Sequence, residues 1–188
     1  MYASIRRWLR LLALPALLAL SACTSLTSQP NARLGLQLSP ALLGQAISLQ
    51  QHLKVERNGR IDELDAALEV DAEHLELVGL AFGQRVLSLH YDGNNLSSWR
   101  HVMLPAQVRA EDVLEDLQLC LWPADAISAA LPAGWRVQDQ GLRRSLYFSD
   151  TIVATIDYSG MPRWSGSIIL NNLRYQYRLS IQSVASEP

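Results

Sequence analysis

Hydrophobic and polar residues alternate along most of the chain from about residue 46. The first run of alternating positions covers residues 47–55. Asn58-Gly59 follows, the strongest short signal for a β-hairpin, and a second run covers residues 60–70. Side chains of a strand point alternately to its two faces, so this period predicts strands that bury one face. Residues 75–80 and 85–91, around Phe82-Gly83, predict a second hairpin.

The period changes to 3.6 residues in the middle of the chain. Between residues 111 and 122 one arc of a helix collects the apolar positions Val113, Leu114, Leu117, Cys120 and Leu121. Pro123 suits the first turn of a second helix, and Pro132 and Gly134 end it. We therefore expect two consecutive helices.

Strand patterns resume after the helices. Residues 135–138, 142–148, 151–158 and 164–170 predict four strands, and residues 173–182 alternate most regularly of all. The predicted fold class is mainly β with an α insertion: a curved antiparallel sheet covered by a helical hairpin. A sheet of about nine or ten strands is expected to curl, and the helices would cover its apolar face.

The N-terminal segment has the pattern of a secretory signal peptide. Arg6, Arg7 and Arg10 precede an apolar run at residues 11–20, and small residues then lead to Cys23. A run of this length is too short to span a bilayer, which needs about 20 residues. We predict a signal peptide at 1–22, a modified cysteine with a tether at 23–38, and a single domain at 39–188.

Charge argues against nucleic acid as a partner. The chain carries a net charge of −2, and removal of residues 1–22, with three arginines and no acidic residue, takes it to −5. Nucleic-acid-binding proteins show a basic footprint instead. Once Cys23 is modified, Cys120 has no partner for an internal disulfide, and we expect it in the core.

The residue types of catalytic and metal sites occur without the spacing those sites need. His52, His74, His90 and His101 form no His-x-x-x-His pair, and no serine stands in a Gly-x-Ser-x-Gly elbow. We therefore predict no metal, no cofactor and no enzyme activity. The acidic pairs at 111–112 and 115–116 are expected to form a solvated helix face.

The first predicted helix is apolar on a second side, where Leu119 and Trp122 fall outside the main arc. Such a helix is either packed between neighbours or borders a ligand space, and both remain open for Trp122. We predict a ligand pocket lined by Trp122 together with Ile127 and Leu131 of the second helix.

Several segments resemble known bacterial families. Leu-Ser-Ala-Cys at 20–23 resembles the lipobox of lipoproteins, which implies that Cys23 carries a diacylglycerol and an acylated amine. Thr24, in place of aspartate, implies sorting to the outer membrane. Residues 114–123 (LEDLQLCLWP), 132–135 (PAGW) and 171–179 (NNLRYQYRL) resemble a lipoprotein family of unknown function whose members are often encoded beside aryl polyene-type pathways.

The order of elements is similar to that of LolA/LolB-like proteins. Those are open half-barrels whose concave apolar face holds acyl chains under a lid of helices. LolB inserts lipoproteins through a loop with an apolar tip, and the sequence offers no equivalent loop.

These resemblances imply a function at the periplasmic face of the outer membrane. The protein is expected to bind or transfer an acyl-bearing molecule (a lipid, a lipoprotein or a polyene lipid), with a periplasmic carrier protein as a further partner. An assembly or structural lipoprotein without a ligand is the alternative. A periplasmic hydrolase would need a Ser-His-acid cluster in a cleft.

Overall fold

The computed structural model describes residues 33–186, which contain ten strands and two α-helices. The strands are β1 (Ile47–Arg57), β2 (Arg60–Val70), β3 (Leu75–Ala81), β4 (Gln84–Tyr91), β5 (Leu96–Arg100), β6 (Trp135–Gln140), β7 (Arg143–Phe148), β8 (Thr151–Tyr158), β9 (Gly166–Asn172) and β10 (Tyr177–Ala185). The helices are α1 (Ala110–Leu121) and α2 (Ala124–Ala130), between β5 and β6.

All ten strands form one open antiparallel sheet in the order β5-β4-β3-β2-β1-β10-β9-β8-β7-β6. The first and last strands pair at its centre, with Leu53 opposite Ile181. Each half is a five-strand meander, and the segment containing both helices connects the two outer edges, β5 and β6. The predicted mainly β fold, with one antiparallel sheet and a helical insertion, is confirmed.

Tight turns set the register of two hairpins. Asn58 and Gly59 have φ values of 52° and 76°, and Phe82 and Gly83 have values of 52° and 72°. Turns with two left-handed residues match the twist of paired strands, and Asn-Gly adopts them at little cost. The hairpins predicted at these two positions are confirmed.

The main core lies between one face of the sheet, here called the inner face, and the two helices. On this face Leu49, Leu68, Leu77 and Leu89 stand in register across β1 to β4, and all are buried. The helices contribute the fully buried Leu114, Cys120 and Ile127, and Trp122, directly after α1, is also fully buried. Cys120 is thus in the core, as predicted, and burial raises the pKa of its thiol.

The segment before β1 packs against α1 instead of forming a free tether. Leu36 and Leu38 are buried, and the side-chain amide of Gln118 bonds both the N–H and the C=O of Leu38, at 3.0 and 2.9 Å. The indole of Trp122 donates to the carbonyl of Ser39 at 3.1 Å. Among the described residues, buried side chains therefore begin at Leu36, and the alternation of Leu36 and Leu38 is the local sequence signal for this packing.

One unpredicted strand and one shifted strand boundary also differ from the prediction. β5 was not predicted, because four of its five residues are exposed and no apolar alternation marks this edge strand. Residues 173–176 form a turn, with Gln176 at a φ of 54°, so β10 begins only at Tyr177. Within residues 33–186 no helix is long and apolar enough to cross a bilayer.

Candidate functional site

A cavity of about 200 Å³ lies between the inner face of the sheet and helix α1. Strands β1 to β4 and β10 form its floor, and α1 with loop residues 104–109 forms its roof. Most of the lining side chains are apolar, among them Leu53, Val55, Leu64, Leu77, Leu87, Leu104, Val113, Leu117 and Leu179. Cavities of this character, apolar with a few polar groups, are typical of ligand sites.

The inward positions of β1 run from the core to the solvent. Leu49 is buried, Leu53 and Val55 are half-buried, and Arg57 at the end of the strand is exposed. Because side chains two residues apart share a face, all four point to the same side of the sheet. The cavity therefore has an apolar interior and a charged mouth at the end of the sheet where β1 turns into β2.

Helix α1 presents different sides to the core and to the cavity. Val113 and Leu117 line the cavity, whereas Leu119 and Trp122 lie in the core with 2% and 0% exposure. The helix is thus apolar on two sides because it separates a core from a cavity. The second apolar side, defined by Leu119 and Trp122, packs in the core and does not border the cavity.

The structure places the cavity elsewhere than predicted from the sequence. Trp122 and Ile127 are fully buried, Leu131 is half-buried at the edge of the core, and none of the three lines the cavity. A tryptophan whose indole is already bonded to a backbone carbonyl is a packing residue here. The predicted lipidation residue, Cys23, lies outside the described residues.

A buried polar cluster occupies one side of the cavity. The Arg33 guanidinium lies 3.1 Å from Asp116, 3.4 Å from Asp112 and 3.7 Å from Glu115. The hydroxyl of Tyr177 donates to the second oxygen of Asp116 at 2.5 Å. The cluster fastens the N-terminal segment to the cavity roof, and Arg33, Asp112, Asp116 and Tyr177 also line the cavity.

Burial dominates the acid–base behaviour of this cluster. Desolvation raises the pKa of Asp116 even though Arg33 and Tyr177 favour its ionised form. It likewise raises the pKa of Glu115, which is 3% exposed and accepts the Gly35 N–H at 2.7 Å. The prediction that this acidic pair is solvated is wrong. The partner, Arg33, is about 80 residues away and gives no signal in a local pattern.

Three arginines lie near the mouth of the cavity: Arg57 and Arg109 line it, and Arg60 stands opposite Arg57 on β2. Arg60 pairs with Asp62 at 2.8 Å, and Arg109 pairs with Glu111 at 3.4 Å. The side chain of Arg57 has no hydrogen-bond or ion-pair partner among residues 33–186. One cation at the mouth is therefore unpaired.

One polar group inside the cavity is also unpaired. Gln51 is 4% exposed, and its amide nitrogen donates to the hydroxyl of Ser183 at 3.0 Å. Its amide oxygen has no partner in the described part of the chain. Since buried polar groups are nearly always bonded, a water or a polar group of a ligand is expected to reach it.

Two histidines lie on the outer face of the sheet, His52 on β1 and His90 on β4. His52 contacts Asp65 at 2.9 Å and His90 contacts Glu76 at 3.1 Å, each across neighbouring strands and exposed to solvent. Among residues 33–186 no group of three His, Cys, Asp or Glu side chains is placed to hold a metal ion.

Large apolar side chains are exposed at the end of the sheet that carries the cavity mouth. Phe82, in the turn between β3 and β4, is 93% exposed, and Val102, just after β5, is 90% exposed. In an antiparallel sheet these turns lie at the same end as the β1–β2 turn. This apolar tip was not predicted, because a single phenylalanine before a glycine does not show which way its side chain points.

Comparison with known proteins gives a family but no described function. Residues 48–185 match the model of a protein family whose description is "Protein of unknown function (DUF3261)". No curated protein matches the sequence. Among solved structures, a LolA superfamily protein from Nitrosomonas europaea is similar, with a TM-score of 0.45 and 9% identity over 78% of this chain and 88% of that chain. At this TM-score the likeness supports no inference about function.

Proposed function

The chain belongs to the DUF3261 family, and we propose that it is a non-enzymatic outer-membrane lipoprotein that binds an acyl chain in the cavity under α1 and passes it on. The observation that carries the proposal is the apolar cavity itself, roofed by a helix and open at a polar mouth. The acylated molecule is a lipid, a lipoprotein or a polyene lipid. Attachment would be through acylated Cys23 at the periplasmic face.

The size of the cavity limits what it holds. A cavity of about 150 Å³ accommodates benzene, with six carbons, so about 200 Å³ holds roughly eight by proportion. Eight methylenes at about 0.8 kcal/mol each contribute about 6 kcal/mol before the costs of association are subtracted. This corresponds to dissociation constants of tens of micromolar or weaker. Weak, reversible binding suits a protein that must release its ligand.

We assign release of the ligand to a movement of the loop at residues 101–109 rather than to a movement of the helices. The C-terminal end of α1 is fixed to the sheet by Arg144, which donates to the carbonyls of Leu119 and Trp122 at 2.6 and 2.8 Å. The loop contains no helix or strand, and Leu104 and Pro105 cover the cavity. Outward movement of this loop would open the cavity near the exposed Phe82 and Val102 and so beside an apolar surface such as a bilayer.

A second candidate function is that of an assembly or structural lipoprotein without a ligand. It is favoured by the two edge strands, β5 and β6, most of whose residues are exposed. An unpaired edge offers backbone N–H and C=O groups to a partner strand.

Mass spectrometry under native conditions tests the carrier proposal. In the tested protein a cleavable secretion signal replaces residues 1–23, and the protein is purified from the periplasm without detergent. We expect a copurifying or readily reloaded acyl compound. Val55→Trp, which fills much of the cavity, should lower occupancy at least tenfold, since it displaces several methylenes.

The matched control is Val184→Trp, the same substitution on the neighbouring strand β10 at a position 65% exposed. It should leave occupancy unchanged, and thermal unfolding checks that both variants fold. Equal occupancy in Val55→Trp and the parent protein would contradict the cavity as the site. No acyl binding to any of the three proteins would favour the assembly role.

A further inference from the structure

The charged side chains that line the cavity differ in whether they have an ion-pair partner. Every carboxylate that lines the cavity has a cationic partner: Arg60 for Asp62, and Arg33 for Asp112 and Asp116. Arg57 lines the same cavity and has no partner among residues 33–186. Arg57 is therefore a cation of the lining that no carboxylate of the described residues contacts, whereas the single charge of Arg33 is shared among three acidic side chains.

The position of Arg57 relates this charge to the apolar interior. It follows Leu53 and Val55 at two-residue intervals on the inner face of β1, so it stands about 7 Å beyond Val55 along the strand. A chain bound against Leu53 and Val55 would place its terminal polar group beside the Arg57 guanidinium. A guanidinium forms paired hydrogen bonds with carboxylate and phosphate groups.

The volume limits the number of chains. About 200 Å³ holds roughly eight carbons, which matches part of one acyl chain and excludes two or three side by side. From these observations, and resting on the proposed function, we propose that the ligand is a single-chain amphiphile with an anionic head group, and that Arg57 binds this head group at the cavity mouth.

Isothermal titration calorimetry with ten-carbon amphiphiles, below their micellar concentrations, tests the proposal on the same secreted protein. Decanoate and decyl phosphate are the two anionic arms, and decanol and decyltrimethylammonium are the neutral and cationic arms. We expect one or both anions to bind at least about fivefold more tightly than decanol, with a preference that shrinks at high salt. The better anion identifies the head group as carboxylate or phosphate.

Arg57→Gln should remove this preference, so that decanoate and decyl phosphate bind the variant no more tightly than decanol does. The control is Arg178→Gln, which removes the same charge at the same end of the sheet from an exposed position on the outer face of β10. Anions that bind no better than decanol, or a preference lost equally in both variants, would overturn the role of Arg57 and leave the cavity proposal intact. Failure of all four amphiphiles to bind would instead count against the proposed function.

Discussion

Arg144 holds the cavity roof to the sheet, and its replacement by methionine is the sharpest test of how the fold is stabilised. The side chain is 1% exposed and bonds both oxygens of Asp139, at 2.8 and 3.1 Å. It also donates to the carbonyls of Leu119 and Trp122, at the end of α1. Those carbonyls have no cation on α1 itself, whose last turn contains no basic residue.

The expected loss comes mainly from the two buried backbone carbonyls, because Asp139 is partly exposed and keeps Arg163 as a partner at 2.6 Å. A buried polar group left without a partner costs about 1–3 kcal/mol, so the two carbonyls together correspond to about 2–6 kcal/mol. For a chain of this size each kcal/mol corresponds to about 2–4 °C in Tm, so Arg144→Met should lower Tm by about 4–24 °C. Urea unfolding followed by circular dichroism measures the free energy, and a thermal scan measures Tm.

Acid titration separates the ion pair from simple packing. Burial alone would raise the pKa of Asp139, but hydrogen bonds and charge from Arg144 and Arg163 hold it below its usual range. The stability that comes from a lowered native pKa is present above the unfolded pKa and is lost as the pH falls. The difference between Arg144→Met and the parent protein should therefore shrink as the pH falls through about 4.

The neighbouring arginine provides a matched control. Arg143 bonds Asp157 through two nitrogens, at 2.6 and 3.0 Å, but its side chain is 58% exposed. Exposed pairs contribute little even when their geometry is good, so Arg143→Met should lose only a small fraction of the stability lost in Arg144→Met. Equal losses in the two variants, or a loss below about 1 kcal/mol for Arg144→Met, would refute the reasoning.

Two other predictions concern the polar cluster and the anchor. Burial raises the pKa of Glu115, so the stability it contributes is full below its ordinary pKa and declines as the pH rises through the native value. Glu115→Gln should therefore gain stability relative to the parent protein between about pH 4 and pH 8 in urea unfolding, and a pH-independent difference would contradict this. Cys23→Ser in the full chain should block lipid-dependent processing; a protein with a cleavable signal in place of residues 1–23 should leave the membrane fraction, and retention after a high-salt wash would contradict the anchor.

Local signals were sufficient for most of the fold. Asn58-Gly59 sets a hairpin through the conformation of two residues, and α1 follows from a change of period that needs no knowledge of the tertiary structure. The exposed strand β5 shows where such signals fail. An edge strand with little buried surface carries no alternation, and it forms because β4 offers it backbone partners.

The cavity and its polar cluster could not be predicted from local sequence patterns, for a different reason. The helical wheel of α1 correctly shows two apolar sides, but it cannot show which side meets a fully packed region. That depends on Trp122 reaching Ser39 and on Arg33 reaching Asp116, each across more than 80 positions of the chain. Long-range contacts of this kind determine where space remains.

The sizes of the inward-facing side chains explain why space remains on one half of the sheet. The half formed by β6 to β9 packs Tyr158 and Arg144 against the end of α1 and adds Trp135 and Phe148 to the core. The other half presents mainly leucine and valine to the start of α1, with Gly79 between Leu64 and Leu87. An empty cavity costs about 24 cal/mol per Å³, so about 200 Å³ would cost at most about 5 kcal/mol, less where solvent enters.

That cost is comparable to the whole net stability of many domains. One larger residue at Val55 or Val113 would remove much of it, and substitutions that fill cavities are among the easiest stabilising changes to find. Leucine and valine surround the cavity, whereas the other half of the same sheet carries aromatic residues. The fold is therefore less stable than a filled one at the place where a bound ligand would restore the missing contacts. A bound acyl chain would supply the missing contacts, which links the carrier proposal to the stability of the fold: saturating ligand should raise the Tm of the parent protein and leave that of Val55→Trp unchanged.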